Sequence, residues 1–150
     1  MRFSLAIATV VALGSCFATE LLFHSNDYRG IKPGKSTLED AIRILGNYRE
    51  VVPTPNGYNY RFPTAIINIG GEDRVHINTI IIDGDTEYVC PKGLSLGDRV
   101  SKLVNRLTEA IHREGTSFDE ITGIFYCTDE GSIRRIVLMY AVSAHLRRSA

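Results

Sequence analysis

The residues with which this chain could do chemistry are four histidines, three cysteines and a scatter of serines and carboxylates. His24, His76, His112 and His145 stand far apart. No two lie three or four residues apart and no His-Glu-x-x-His occurs, so there is no helical metal pair. His76 alternates with Arg74 and Asn78, which places all three on one strand face, the wet one. Asp83-Gly84-Asp85 with Glu87 lacks the remaining oxygen ligands of a calcium loop, and Asp-Gly between two apolar runs reads as a turn. Gly30-Ile31-Lys32-Pro33-Gly34-Lys35-Ser36 approaches a phosphate-binding loop. It has three residues between its glycines where the loop needs four, and Pro33 removes an N–H that would cradle a phosphate. Ser36, Ser95, Ser101, Ser117 and Ser132 are not expected to form the Gly-x-Ser-x-Gly nucleophile elbow of hydrolases. A Ser-His-Asp site assembled in space stays open, because triads form between distant parts of a chain. No metal and no cofactor are expected.

The aromatic residues offer contact rather than catalysis. Tyr58, Tyr60 and Phe62 alternate, so one strand presents all three on the same face, close to Tyr48 and the Asn56-Gly57 turn. Phe125 and Tyr126 hold a similar place later in the chain. Such a stripe either packs beneath a helix or binds a partner, since Tyr supplies large contact area at small entropic cost. Tyr58, Tyr60, Phe62 and Tyr126 are the binding candidates.

The N-terminus reads as an address. Met1-Arg2 supplies a positive start, Phe3 to Leu13 is almost wholly apolar, and small residues follow. That is the layout of a secretory signal over residues 1–18, and its apolar run is too short to span a bilayer core of roughly 30 Å. Two exits fit. Leu13-Gly14-Ser15-Cys16 reads as a lipobox that would leave Cys16 lipidated, while cleavage after Ala18 would release a soluble chain. Cys90 and Cys127 then remain in an oxidising compartment. Paired, they would close a loop of about 38 residues, worth roughly 3–4 kcal/mol; unpaired, they would be two buried thiols.

Two segments must position these residues, and they are written alike. Gly30-Ile31-Lys32-Pro33-Gly34 and Gly93-Leu94-Ser95-Leu96-Gly97 share Gly, apolar, two variable positions, Gly. A helix pattern follows each. Ser36 with Glu39 forms a capping box ahead of Leu38, Ala41, Ile42 and Leu45, and Gly46 stops the helix. Asp98 caps the second, where Val100, Leu103, Val104 and Leu107 repeat the same face at one constant offset, and Glu109 to His112 extend it by a turn. Strand-like runs come next: Ala65–Ile69 and Val75–Ile82 in the first copy, with Tyr58–Phe62 as an extra strand, then Ile124–Cys127 and Ile133–Val142 in the second. The expected fold is α+β: residues 19–150 as one domain of two helix-plus-β-hairpin repeats, about 28–82 and 91–142, with the helices packed on one face of an antiparallel sheet.

The run from Gly30 through Pro33-Gly34-Lys35-Ser36-Thr37 to Asp40, ending at Leu45-Gly46, resembles the start of repeats in the β-lactamase-inhibitor-like fold group. Gly131-Ser132-Ile133-Arg134-Arg135-Ile136 resembles that group's final hairpin. The group includes small outer-membrane assembly lipoproteins and many other exported bacterial proteins. The resemblance implies export and protein–protein contact rather than catalysis.

Composition agrees with a folded domain. Of 150 residues, 44% are hydrophobic and 23% charged, and 17 basic residues balance 17 acidic ones. A net charge of zero argues against capture of nucleic acid or of an anionic membrane by bulk charge. A membrane would be met only through a lipid on Cys16. The expectation is a non-catalytic exported binding or assembly module of the bacterial envelope, periplasmic, lipid-anchored or secreted, with a protein partner. The rival is a small secreted hydrolase. Intact-mass measurement of the exported protein is expected to show loss of the first 15 or 18 residues, with added acyl mass in the first case. Recovery of the full chain from Met1 in the cytoplasm would overturn export.

Overall fold

Thr37 starts the first helix. Its hydroxyl accepts from the Asp40 N–H and the Asp40 carboxylate accepts from the Thr37 N–H at 2.9 Å, so two orphan donors are satisfied together. The cap lies one residue later than the Ser36–Glu39 box read from the sequence. The computed structural model describes residues 26–71 and 74–140. Residues 1–18, read above as a secretory signal, with Cys16, His24 and the segment from residue 141, lie outside them.

Among the described residues the elements run α1 (Leu38–Leu45), β1 (Glu50–Thr54), β2 (Gly57–Arg61), β3 (Ala65–Gly70), β4 (Ile77–Ile82), α2 (Val100–Arg106), β5 (Ala110–Arg113), β6 (Thr116–Asp119), β7 (Ile124–Asp129) and β8 (Ser132–Met139). The strands form one eight-stranded antiparallel sheet in the order β1-β2-β3-β4-β8-β7-β6-β5. No helix among them is long and apolar enough to cross a membrane.

The chain is therefore mainly β, which corrects the α+β expectation. Helix-plus-hairpin repeats under a layer of helices do not form. Each half is a short helix followed by a four-stranded meander. The helices are too short to make a layer: α1 fully buries only Ala41 and α2 only Leu103. Extended segments supply much of the rest of the cover, through Tyr28, Ile31, Cys90 and Leu94. Three strands escaped the sequence reading for physical reasons. β1 holds Pro53, and Pro53-Thr54-Pro55-Asn56-Gly57 reads as turn chemistry, but an edge strand tolerates a missing N–H. β5 was read as a last helical turn, and four residues cannot show which period they follow. β6 turns Ser117 and Asp119 inward, where apolar residues would have signalled a strand.

The duplication itself is written into the hydrogen bonds. Gly34 donates to the Ile77 carbonyl at 2.7 Å and Ile77 donates to Ser36 at 2.8 Å. Gly97 and Ile133 make the equivalent bond at 2.8 Å, and Ile133 donates to Asp98 at 2.8 Å. Both glycines lie at positive φ, +80° and +86°, which suits the absence of a Cβ. The apolar residue of each motif, Ile31 or Leu94, is wholly buried. The register shifts once in each closing hairpin, leaving Asn78 and Arg134 as the extra residues of matching bulges. β4 then pairs β8 through Ile80↔Leu138, Ile81↔Val137 and Ile82↔Ile136, so a pseudo-two-fold axis passes through the Ile81–Val137 pair.

Gly57 makes the tightest turn of the first meander. At φ +150°, a Cβ there would lie 2.0 Å from the Ile69 carbonyl oxygen, a backbone atom that cannot step aside. Gly57→Ala is expected to lower unfolding free energy by about 2 kcal/mol, the scale of local backbone strain, seen as a reduced urea midpoint with unchanged slope. An unchanged midpoint would mean that the β2–β3 register does not close this tightly.

Candidate functional site

Alternation along each strand sorts the candidate residues onto two faces of the sheet. The inner face carries the core, including Ile67, Ile80, Leu138 and Ile124 in one cross-strand row. Tyr58, Tyr60 and Phe62 share this face, as their spacing requires, but they do not form an exposed stripe. Exposure falls along the strand: Tyr58 is 52% exposed at the turn end, Tyr60 is half-buried, and Phe62 is wholly buried. Tyr48 closes over the end of the stripe, edge-on to Tyr60 at 5.1 Å and to Phe62 at 6.1 Å. Tyr126 is also wholly buried. Phe62 and Tyr126 are thus core residues, a correction to the binding set. Tyr58 survives as part of a small rim with Tyr48 and the edge residue Val51.

The expected Cys90–Cys127 bridge does not form, and both thiols are free. Cys90 lies on the inner side, its Sγ 3.2 Å from the Tyr126 hydroxyl. Cys127 follows Tyr126 in β7 and therefore points to the opposite face, so the sheet stands between the two sulfurs. Burial, with Cys90 alongside, holds the Tyr126 phenol far above its ordinary range. The inner side holds a second buried polar group. Asp85 is nearly inaccessible and accepts from the Tyr28 hydroxyl at 2.8 Å, Arg29 Nε at 2.9 Å, and the N–H groups of Glu87 and Tyr88. Burial pushes this carboxyl up. The hydrogen bonds from Tyr28 and Arg29, with the guanidinium charge, outweigh it and hold Asp85 below its ordinary value. Tyr28 is pushed up to about 12, chiefly by burial. The network ties the start of the first copy to the connection into the second.

The catalytic candidates come together only in part. His112 and Ser117 face each other across β5 and β6, Nδ1 to Oγ 2.8 Å. Ser117 is buried, and no carboxylate contacts His112 among the described residues. Ser95 does stand in a Gly-x-Ser-x-Gly, absorbed into the repeat when the sequence is read. No strand leads into it, and its N–H donates to Asp98 at 2.9 Å, so it lacks the strand–turn–helix setting of an elbow. No group of three or more metal-ligating side chains occurs among the described residues. Asp119, missed in the sequence, occupies in the second copy the inward place that Phe62 holds in the first. It accepts from the Thr122 hydroxyl at 2.6 Å and from the Ile121 N–H at 3.1 Å, which holds the β6–β7 turn.

The outer face carries the longest surface feature. One unbroken cross-strand row runs Glu50–Arg61–Ile66–Ile81–Val137–Phe125–Phe118–Ile111 through all eight strands. Six consecutive members are apolar. Ile111 is 47% exposed and the five others are half-buried. Phe118 and Phe125 stack at 4.5 Å. At the other end Arg61 turns to Asp83 at 3.1 Å. The sequence shows these residues as β-rich text, but their alignment into a row depends on strand order and register.

No protein-family model matches the sequence, and a search of the curated proteins finds no match. Among solved structures, the chain is similar to a DUF4309 family protein, YjgB, from Bacillus subtilis subsp. subtilis str. 168. The superposition has a TM-score of 0.48 at 14% sequence identity and covers 74% of this chain and 82% of that one.

The buried carboxylate makes a pH prediction. The folded value of Asp85 lies below its ordinary value of 3.8, so its contribution is present above that value and is lost as pH falls through the folded one. Asp85→Asn is expected to be less stable than the parent at neutral pH. Its stability is expected to fall less steeply than the parent's on acidification below about pH 4. Parallel acid limbs in urea titrations of the two proteins would show that Asp85 carries no such linkage.

Proposed function

We propose that this protein is an exported, non-catalytic binding or assembly module of the bacterial cell envelope and that it meets a protein partner through the outer face of its sheet. The observation that carries this reading is the six-residue apolar row from Ile66 to Ile111. Cross-strand pairing on this face stabilises the sheet only modestly, and contiguous apolar surface of this kind marks contact sites. The rim of Tyr48, Val51 and Tyr58 is smaller and lies on the other side of the sheet. The signal-like N-terminus supports export, and the sequence resemblance to an exported, contact-making fold group points the same way. The secreted-hydrolase reading has the His112–Ser117 contact in its favour, but the serine is buried and the histidine lacks an orienting carboxylate among the described residues.

A photo-crosslinking side chain in place of Phe118 is expected to trap a discrete partner in cells exporting the protein. The same group in place of Tyr58, across the sheet, is expected to trap none. Phe118→Ser with Val137→Ser should reduce partner capture more than about tenfold, because large apolar anchors dominate contact energy. A partner trapped only from Tyr58 would overturn the assignment of the face.

A further inference from the structure

We infer that the segment received by this face is an amphipathic helix with an acidic flank. The inference rests on the reading of the outer face as the contact surface, and adds to it the chemistry of the partner. The first argument is spacing. The apolar row crosses the strands rather than following one, with one side chain per strand about 4.8 Å apart. A helix rises about 5.4 Å per turn and offers one stripe residue per turn at i, i+3/i+4, i+7. Six row positions span five gaps, about 24 Å, the length of about 16 helical residues. An extended peptide would instead add at a sheet edge through its main chain and would leave this row unused.

The second argument is charge. One step along the strands lies a parallel row, Arg113–Thr116–Cys127–Arg135, in register across β5, β6, β7 and β8. Both guanidiniums are exposed, and neither has an ion-pair or hydrogen-bond partner among the described residues. Their neighbours differ. Arg61 is held by Asp83 at 3.1 Å, and the bulge residue Arg134 by Glu130 at 3.3 Å. Two unengaged arginines therefore line one flank of the apolar row, three strand spacings or about 14 Å apart. That distance is a little under three helical turns, so carboxylates about eleven positions apart, which return to one flank of a docked helix, would reach both. A basic flank would be repelled there, which gives the face a means of rejecting the wrong helix.

The test uses the protein as recovered from exporting cells and a synthetic helix of about 18 residues, with a leucine stripe and two flank glutamates about eleven positions apart. A second peptide carries lysines in place of the glutamates. Fluorescence anisotropy at low salt is expected to show the acidic peptide binding at least about tenfold more tightly. Arg113→Glu with Arg135→Glu is expected to reverse the order. Single Arg→Gln variants, checked by urea midpoint, are expected to narrow it without loss of fold. Equal affinities, tighter binding of the lysine peptide, an unaltered preference in the arginine variants or binding of neither peptide would overturn the inference. So would arginine-dependent binding to phosphatidylglycerol vesicles without peptide preference, which would assign the face to a lipid surface. The two failures are distinguishable: a partner trapped from Phe118 with no discrimination between peptides defeats only the acidic helix, whereas no partner trapped from Phe118 defeats the contact face itself.

Discussion

The pairing of β4 with β8 is the contact on which the rest of the molecule depends. Each meander is built from local hairpins, and its short helix buries one residue completely. Neither half has enough cover to bury an apolar face alone. Joining them edge to edge satisfies two rows of backbone groups that would otherwise be exposed at the middle of the chain's most apolar strands. It also brings Ile80, Ile82, Ile136 and Leu138 into one continuous core, all of them essentially inaccessible. This pairing is the least local of the sheet, so its loop-closure entropy must be met by the burial it creates. The Tyr28–Asp85–Tyr88 network acts on the same problem. By fixing the connection between the copies, it narrows the routes by which β8 can reach β4.

What was legible in the sequence was whatever a local pattern encodes. The helix of residues 38–45 and its Gly46 stop, the two glycine motifs and the final hairpin of each copy can all be read from spacing and turn chemistry. The glycine motifs carried more than expected, since their second glycines fasten each loop to the closing strand. Illegible were features decided by a distant partner. β5 became a strand because β6 lies beside it, and β6 could bury Ser117 and Asp119 because His112 and Thr122 answer their polar atoms. Both would have looked wrong as strand text.

Parity of position also has a limit. Alternation correctly placed Tyr58, Tyr60 and Phe62 on one face, but it could not say which side of the sheet that face would be, nor how deep each residue would lie. The same rule, applied to Tyr126 and Cys127, would have counted against the disulfide: once Tyr126 belongs to the core beside Cys90, Cys127 must face away from it. The missing fact was the inward direction of Tyr126, set by pairing with Ile136 across β8.

The pseudo-two-fold axis allows the copies to be compared position by position, and their faces have diverged unequally. Inside, burial is preserved: Tyr28, bonded to the Ile31 carbonyl, and Cys90, bonded to the Leu94 carbonyl, are both buried. Outside, two pairs of polar side chains in the first copy engage one another. Arg61 turns to Asp83, and Asn68 donates to Asn59 at 2.7 Å. In the second copy Phe118 takes the place of Arg61, Phe125 that of Ile66 and Ile111 that of Glu50. Arg113 and Arg135 stand where the first copy has Val52 and Thr79. The first copy's outer face thus keeps more polar side chains, while the second gathers aromatic surface and two arginines without an ion-pair partner among the described residues. On the proposed reading, contact falls where the two copies differ most outside: on Val137, Phe125, Phe118 and Ile111 of the second copy, continued by Ile66 and Ile81 of the first.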